Sequence, residues 1–380
     1  MNLTKEMEQY ALDTKEEVLQ FMRDLSPIPA PSHHEEKRAE WVKGWMERNG
    51  AKGVFIDEAL NVQWPVKDDG VSDMVVFMAH TDVVFPDTEP LPFSEDDEKM
   101  YCPGVGDDTA RVATLLHAVR YFTQNKIEPE TNILVVANSC EEGLGNLKGS
   151  RFIMDTYGKR VKALITVDGG FRSMVTTGVG SHRYRVTVKT EGGHSYGAFG
   201  NRNAIAYMAS MIDTLYKMKV PAKEGTKTTY NVGVIEGGTS VNTICQEVSM
   251  LYEYRSDDRE CLLTMKNMFE KVIEAYRAMG IEVEVELLGE RPCNGDVPED
   301  EFNALKEMVR KAGSEVLGLE IKEDSGSTDA NYPLSLGVPA ICIGGCTSGG
   351  THTRSEWLLK SSLYDGVRFL LEILSNYFNI

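Results

Sequence analysis

Three short and almost entirely apolar runs stand out in the first half of the chain, at residues 74–79, 133–138 and 163–167. Runs of this length are typical of strands that are buried on both faces of a parallel sheet. Between the first two runs, residues 109–124 have the periodicity of a helix. This alternation predicts βαβ units and therefore an α/β domain with a mainly parallel sheet.

The pattern of hydrophobic positions changes after about residue 180. Residues 182–190 alternate apolar and polar side chains, which predicts a half-exposed strand, and the elements predicted after it follow the order β-α-β-β-α-β. From about residue 298 the first pattern returns, and 380 residues is long for a single core. We therefore predict a ferredoxin-like α+β domain at residues 181–290, inserted into a larger α/β domain made of residues 1–180 and 291–380.

The N-terminal region is predicted to be helical. An apolar stripe predicts one helix over residues 3–26, which the prolines that follow it end. Ser32 and Glu35 have the spacing of a capping box for a second helix, over residues 34–49. The neighbouring His33 and His34 diverge on a first helical turn, so we expect both to be solvated.

Composition and charge restrict the classes of partner. The formal net charge of −18 disfavours nucleic acid and anionic membranes, because both bind basic surfaces. No stretch predicts a membrane-spanning helix, and the first residues lack the apolar segment of a signal peptide. The seven cysteines form no C-x-x-C motif, so we expect free thiols and a cytoplasmic protein, with Cys342 and Cys346 buried.

Histidine or acidic residues follow each of the three apolar runs directly. In chain order they are His80 and Asp82, then Glu141 and Glu142, then Asp168. Because the carboxyl ends of parallel strands share one edge of a sheet, we expect these side chains to lie close together. Two further candidates are Asp107, in the segment Gly-Val-Gly-Asp-Asp, and His352, after a glycine-rich loop. His117 lies among apolar residues and is predicted to be a packing residue.

Imidazoles and carboxylates without a thiolate suit Zn²⁺, Co²⁺ or Mn²⁺ in an open catalytic site. Two cations about 3.5–4 Å apart need a bridging carboxylate, and water between them becomes hydroxide near neutral pH. Asp107 is the best candidate bridge, because the glycines before it permit a close approach. Asp82 can accept the second N–H of His80. Glu141 and Glu142 point in different directions, so one can bind metal while the other acts as general base.

Each of these motifs alone has an ordinary structural explanation. His-x-Asp after a strand can be a polar turn, Asp-Asp is often a turn, and Glu-Glu-Gly often starts a helix. Their joint occurrence at successive strand ends favours a metal-dependent hydrolase.

The motifs together resemble a known family. They are His-Thr-Asp at 80–82, Gly-Val-Gly-Asp-Asp at 104–108, Glu-Glu-Gly at 141–143, Asp-Gly-Gly at 168–170 and His-Thr-x-x-Glu at 352–356. Over nearly the whole chain, the set resembles the dinuclear zinc amidohydrolases and exopeptidases, such as aminoacylase, acetylornithine deacetylase, carboxypeptidase G and peptidase T.

The resemblance implies two metal-binding triads that share one carboxylate. They are His80, Asp107 and Asp168 for one ion, and Asp107, Glu142 and His352 for the other. Glu141 would be the general base and Asp82 would support His80. The ions implied are zinc, with cobalt or manganese as alternatives.

The resemblance also gives the inserted domain a role as lid and dimerisation domain of a homodimer. His194, in Gly-Gly-His-Ser, would donate to the oxyanion of the tetrahedral intermediate, often across the dimer interface. Asn242 and Arg255 would bind a substrate carboxylate or carbonyl. From the residues alone, His194 is equally an ordinary loop histidine and Arg255 a surface ion-pair partner.

The substrate class is less sharply indicated. Many relatives have Lys or Asn and then Gly after the bridging acid, whereas Asp108-Thr109 follows here. Residues 326–331 and 337–340 resemble the peptidase T-like branch, so we expect an exopeptidase acting on short peptides. A deacylase of N-acyl amino acids is the alternative, since no anchor for a free amino group is evident. An inactive relative that only binds peptide or metal is the remote one.

Overall fold

The computed structural model describes residues 3–380. Its α-helices are α1 (Lys5–Asp13), α2 (Lys15–Leu25), α3 (Glu36–Arg48), α4 (Arg111–Gln124), α5 (Lys148–Tyr157), α6 (Ala204–Lys217), α7 (Arg259–Ala278), α8 (Glu299–Ala312), α9 (Asn331–Ser335) and α10 (Ser361–Leu374). Its strands are β1 (Phe55–Ile56), β2 (Val62–Lys67), β3 (Met74–His80), β4 (Ser94–Glu95), β5 (Lys99–Tyr101), β6 (Asn132–Asn138), β7 (Val161–Val167), β8 (Ser173–Gly178), β9 (Gly180–Lys189), β10 (Gly193–His194), β11 (Thr228–Gly237), β12 (Thr243–Ile244), β13 (Glu247–Ser256), β14 (Glu282–Arg291), β15 (Lys322–Gly326), β16 (Ala340–Ile343), β17 (Ser348–Gly349) and β18 (Trp357–Leu359).

The chain divides into two compact units. The first contains the chain up to Gly178 together with Asn294–Ile380, and the second is Val179–Cys293. The first unit is built on an eight-stranded sheet in the order β1-β2-β6-β3-β7-β16-β8-β15. Its four central strands, β6, β3, β7 and β16, are parallel, so the predicted α/β class with a mainly parallel sheet is confirmed.

The apolar runs form strands because the large sheet is covered on both faces. Alternate residues of β3 pack into two different cores, with Val75 and Phe77 in one and Val76 and Met78 in the other. A strand with two buried faces has no position for a polar side chain until it leaves the sheet. Polar residues therefore begin where β3 ends, at His80.

The second unit is an antiparallel sheet in the order β11-β13-β9-β14, with α6 and α7 in the connections. This is the predicted β-α-β-β-α-β order, and the strand arrangement is that of a ferredoxin-like sandwich. Every second residue of β13 is buried, because one face of the sheet packs into the unit's own core.

Several local predictions were wrong or incomplete. The helix predicted over residues 3–26 breaks at Thr14, whose hydroxyl donates to the Tyr10 carbonyl and competes with the helical bonds. The capping box is absent: Glu35 precedes α3 without a side-chain cap, and its carboxylate bonds elsewhere. The sequence patterns also missed α5, β8 and β15. β15 is a largely exposed edge strand, so it carries no apolar signal.

The remaining histidine and cysteine predictions are confirmed. His33 and His34 are exposed, and buried His117 packs against the rings of Phe21 and Trp45. All seven cysteines are buried free thiols.

Across residues 3–380, every helix is too short or too polar to cross a bilayer.

Candidate active site

The polar residues that follow the central strands lie at one edge of the large sheet. β6, β3 and β7 are parallel neighbours, so their carboxyl ends coincide. His80 is the last residue of β3, Asp168 follows β7 directly, and Glu141 and Glu142 lie in the turn after β6.

Asp107 lies between two imidazoles. Its Oδ1 is 3.1 Å from Nε2 of His80, and its Oδ2 is 3.3 Å from Nε2 of His352. The same His352 nitrogen is 3.1 Å from Oε1 of Glu142. Each oxygen of Asp107 therefore faces a different group of potential ligands, as a carboxylate shared between two cations would.

The turn before α4 presents Asp107 to these imidazoles. Asp107 and Asp108 have non-helical backbone angles, and the peptide bond that joins them is cis. Glu356 holds this turn from behind, since its carboxylate accepts the backbone N–H groups of Gly104, Gly106 and Asp107 at 2.8–2.9 Å. The turn is thus fixed by a side chain that lies some 250 residues later in the sequence.

Asp168 and Glu141 complete the cluster. Oδ2 of Asp168 is 3.9 Å from Nε2 of His80. Potential ligand atoms of His80, Glu141 and Asp168 all lie within 4.8 Å of one another, and so do those of His80, Asp107 and Glu142. Glu141 is therefore close enough to this centre to act either as a ligand or as a base.

Asp82 connects His80 to the turn that carries the two glutamates. Its Oδ1 is 3.3 Å from Nδ1 of His80 and accepts the backbone N–H of Glu141 at 3.0 Å. Its Oδ2 accepts the N–H of Glu142 at 2.9 Å. Burial would raise the pKa of Asp82, but the imidazole and these hydrogen bonds keep it below its ordinary value.

Three charged residues at this site were not among the residues predicted from the sequence. Arg111 is buried, donates to the carbonyl of Gly169 and lies 3.2 Å from Asp108 Oδ1. Asp108 Oδ2 accepts the backbone N–H of His80. The spacing of Asp108 and Arg111, three residues apart at the start of a helix, was the available signal. Glu356 was visible only as the last letter of His-Thr-x-x-Glu.

The carboxylates strongly favour protonated imidazoles when no metal is present. Burial opposes protonation of His80, but Asp108, Asp107 and Asp82 raise its pKa well above the ordinary value. Hydrogen bonds to Asp107 and Glu142 raise the pKa of His352 to about 10. Despite burial, the two imidazoles and Arg111 hold the pKa of Asp107 well below its usual range.

This donor set fits divalent metal ions. Buried carboxylates are costly unless they are paired or bind a cation, and the acidic side chains here outnumber Arg111 and the two imidazoles together. Ligand atoms about 2.0–2.2 Å from one tetrahedral ion are about 3.4 Å apart. The oxygen-to-nitrogen separations around Asp107, 3.1 and 3.3 Å, are close to that value.

A cavity of about 760 Å³ opens beside Asp107 and Asp168. Its wall includes Arg111, Phe171 and Arg172. The volume lies in the range of cavities that bind small molecules.

The second unit contains the other three predicted residues. His194 and Asn242 are neighbours, because β10 pairs with β12 and the Ser195 N–H donates to the Asn242 carbonyl. Nδ1 of His194 accepts backbone N–H groups from Tyr196 and Gly197, which leaves Nε2 as the protonated nitrogen of the neutral ring. Arg255 lies on β13 and pairs with Glu253 at 3.0 Å.

Comparison with known proteins identifies the family of the chain. The model of peptidase family M20/M25/M40 matches residues 76–376. A succinyl-diaminopimelate desuccinylase of Corynebacterium glutamicum is 24% identical over 375 residues, which cover 96% of this chain and 98% of the relative.

Two solved peptidases have the same fold. Aminopeptidase PepT of Bacillus cereus is 22% identical, with a TM-score of 0.70 and coverage of 95% of this chain and 98% of that one. A tripeptidase of Staphylococcus aureus is 21% identical, with a TM-score of 0.73 and coverage of 95% and 99%. The protein is an amide-bond hydrolase that belongs to peptidase family M20/M25/M40.

Proposed function

We propose that this protein is an exopeptidase that hydrolyses peptide C–N bonds of short peptides with two divalent metal ions. The observation that carries the proposal is the position of Asp107, with one oxygen towards His80 and the other towards His352. The proposed ligand sets are His80, Asp107 and Asp168 for one ion, and Asp107, Glu142 and His352 for the other. Zinc is the first candidate ion, and cobalt or manganese would suit the same donors.

When bound, such ions polarise a carbonyl and lower the pKa of water. The chain itself then has to move one proton. Glu141 takes it from the attacking water and transfers it to the nitrogen of the leaving amine. Asp82 supports this step, because it holds the backbone N–H of Glu141 and fixes the ring of His80.

The second unit is proposed to bind substrate and to act as lid and dimerisation domain. His194 would donate from Nε2 to the oxyanion of the intermediate, and the two N–H groups that its Nδ1 accepts favour that tautomer. Asn242 and Arg255 would bind a substrate carbonyl or carboxylate. To bind substrate, Arg255 would leave Glu253 or contact both groups. This would cost little, because a surface ion pair such as Arg255–Glu253 contributes little to stability.

The cellular assignment is also a proposal. We place the protein in the cytoplasm as a homodimer, and the seven buried free thiols support a reducing compartment.

The peptidase assignment competes with a deacylase assignment at the same site. Similarity to a desuccinylase supports N-acyl substrates for this chain, whereas similarity to PepT and to a tripeptidase supports peptides. The deciding experiment measures amine release from two matched panels after reconstitution with Zn²⁺, Co²⁺ or Mn²⁺. One panel contains free di- and tripeptides, and the other the corresponding N-acetyl amino acids. Cleavage of the free peptides alone is expected. Cleavage of the acylated panel alone would replace the peptidase by the deacylase.

A further inference from the structure

The turn that carries Glu141 presents three successive backbone N–H groups to two buried carboxylates. Cys140 N–H donates to Oε1 of Glu35 at 3.0 Å, while the next two donate to Asp82. Cys140 has φ of 57°, in the left-handed region. A residue with a side chain stays there only where its surroundings impose the conformation.

Glu35 comes from a distant part of the sequence and is fully buried. Its Oε1 also accepts the N–H of His33 at 3.1 Å and the thiol of Cys140 at 3.2 Å. It stands at the start of α3 but makes no side-chain bond to that helix end. Burying a carboxylate costs free energy, so its bonds to the Cys140 turn point to a role there.

Residues 32–35 contact the turn at further points. Ser32 Oγ lies 2.6 Å from Oδ2 of Asp82 and 3.2 Å from the carbonyl oxygen of Glu142. Nε2 of His33 lies 3.4 Å from the carbonyl oxygen of Leu144. The segment therefore borders the glutamate turn on more than one side.

We propose that Glu35 is a positioning residue for Glu141. It fixes Cys140 in the left-handed conformation, and this sets the direction in which the chain enters Glu141. The carboxylate of Glu142 is held in addition by His352, at 3.1 Å, and Glu35 does not take part in that contact, so the proposed metal ligand stays in place when Glu35 is removed. The inference rests on the proposed role of Glu141 as general base.

The test compares Glu35→Ala with Glu35→Gln in the metal-loaded protein. Alanine removes the acceptor of the Cys140 N–H, so kcat should fall about 10- to 100-fold, the loss expected from a misplaced catalytic group. KM and the two bound metal ions should stay near wild type. Glutamine keeps an oxygen acceptor and should restore most of kcat.

A matched control is available in α10. Glu372 is also a buried carboxylate that accepts a backbone N–H, from Leu3 at 2.6 Å, but it lies outside the site. Glu372→Ala should lower the thermal midpoint and leave kcat unchanged. An equal loss of kcat in Glu372→Ala would make the effect of Glu35 merely structural and overturn the inference.

A second readout does not depend on turnover. In metal-loaded Glu35→Ala, the amides of residues 139–147 should exchange hydrogen faster, with no such change in Glu372→Ala. Wild-type exchange together with wild-type kcat would overturn the inference, as would loss of metal from Glu35→Ala or failure of Glu35→Gln to restore kcat. If the wild-type protein cleaves no substrate in either panel, the proposed function fails, and the exchange comparison still decides whether Glu35 fixes the turn at Cys140.

Discussion

Glu141 and Glu142 are identical side chains in different surroundings. The carboxylate of Glu142 is hydrogen-bonded to His352, and burial raises its pKa. Glu141 instead belongs to the group formed with His80 and Asp168. Adjacent acids at one strand end can therefore divide metal binding and proton transfer between them.

Replacing Glu141 by glutamine separates the base from the ligands. Glu141→Gln should keep both metal ions and lose about 10²- to 10⁴-fold in kcat, because only proton transfer is removed. Metal content by mass spectrometry and turnover on the best peptide would be measured together. Full activity at full metal content would contradict the role of base, and loss of one ion would make Glu141 a ligand.

Asp107→Ala should have a different signature. Since Asp107 faces both His80 and His352, its removal should cost both metal ions and all measurable turnover. Asp97→Ala, an exposed acid outside the site, is the control. Retention of two ions in Asp107→Ala would disprove a shared ligand.

Metal binding should release protons. The pKa of His352 is about 10 and that of His80 is also raised, so both imidazoles carry a proton at pH 7 without metal. A metal ligand must be deprotonated, so affinity should fall as pH falls, by about tenfold per unit for each proton displaced. Titration calorimetry in buffers of different ionisation enthalpy should count more than one released proton. A heat of metal binding that does not change with the buffer would contradict proton release.

At the scale of elements, α3 contributes a buried cation behind the site. Arg38 donates to the carbonyl oxygens of Ile28, Ser26 and Thr81, and to the hydroxyl of Thr109. Thr81 separates His80 from Asp82, so this one side chain ties a loop of the site to the helix.

Arg38→Met should therefore destabilise the metal-free protein. It removes four hydrogen bonds to buried or partly buried acceptors, and we expect a loss of about 2–4 kcal/mol in urea denaturation. Arg23→Met is the matched control, because Arg23 forms partly exposed pairs with Glu16 and Glu95 that should contribute less than about 1 kcal/mol. Equal losses of unfolding free energy in the two variants would show that the buried hydrogen bonds of Arg38 stabilise the protein no more than the ion pairs of Arg23.

Hydrophobic periodicity predicted those strands whose buried positions carry apolar side chains. The strand with two buried faces, β3, and the alternating strand of the second unit, β9, both carried the expected pattern. β15 did not, because an exposed edge strand is specified by pairing with β8 and not by its own side chains. The capping-box error has a related cause: Ser32 and Glu35 bond to residues 50 and 105 positions away, which local spacing cannot reveal.

At the scale of the whole molecule, the large sheet makes the candidate site recognisable from the sequence. Histidine and acidic residues follow successive apolar runs. Because the carboxyl ends of neighbouring parallel strands lie at the same edge of a sheet, this pattern predicts that those side chains meet there. No comparable pattern predicted the positions of the supporting residues Arg111, Glu356 and Glu35. Each of them bonds to a backbone group of a distant loop, and those contacts exist only after folding.

Whether His194 acts within its own subunit or across a dimer is also a question about the whole molecule. His194→Ala and Glu141→Gln should each be nearly inactive alone, since they remove different groups. If His194 serves the partner's site, mixed dimers of the two variants contain one complete site, and random mixing should restore about a quarter of wild-type turnover. The recovery is measured by following activity against the ratio of the two variants after their subunits have exchanged.

Recovery requires a dimer, so light scattering that shows a monomer at assay concentration would remove the cross-subunit role. A dimer without recovery would assign His194 to its own chain.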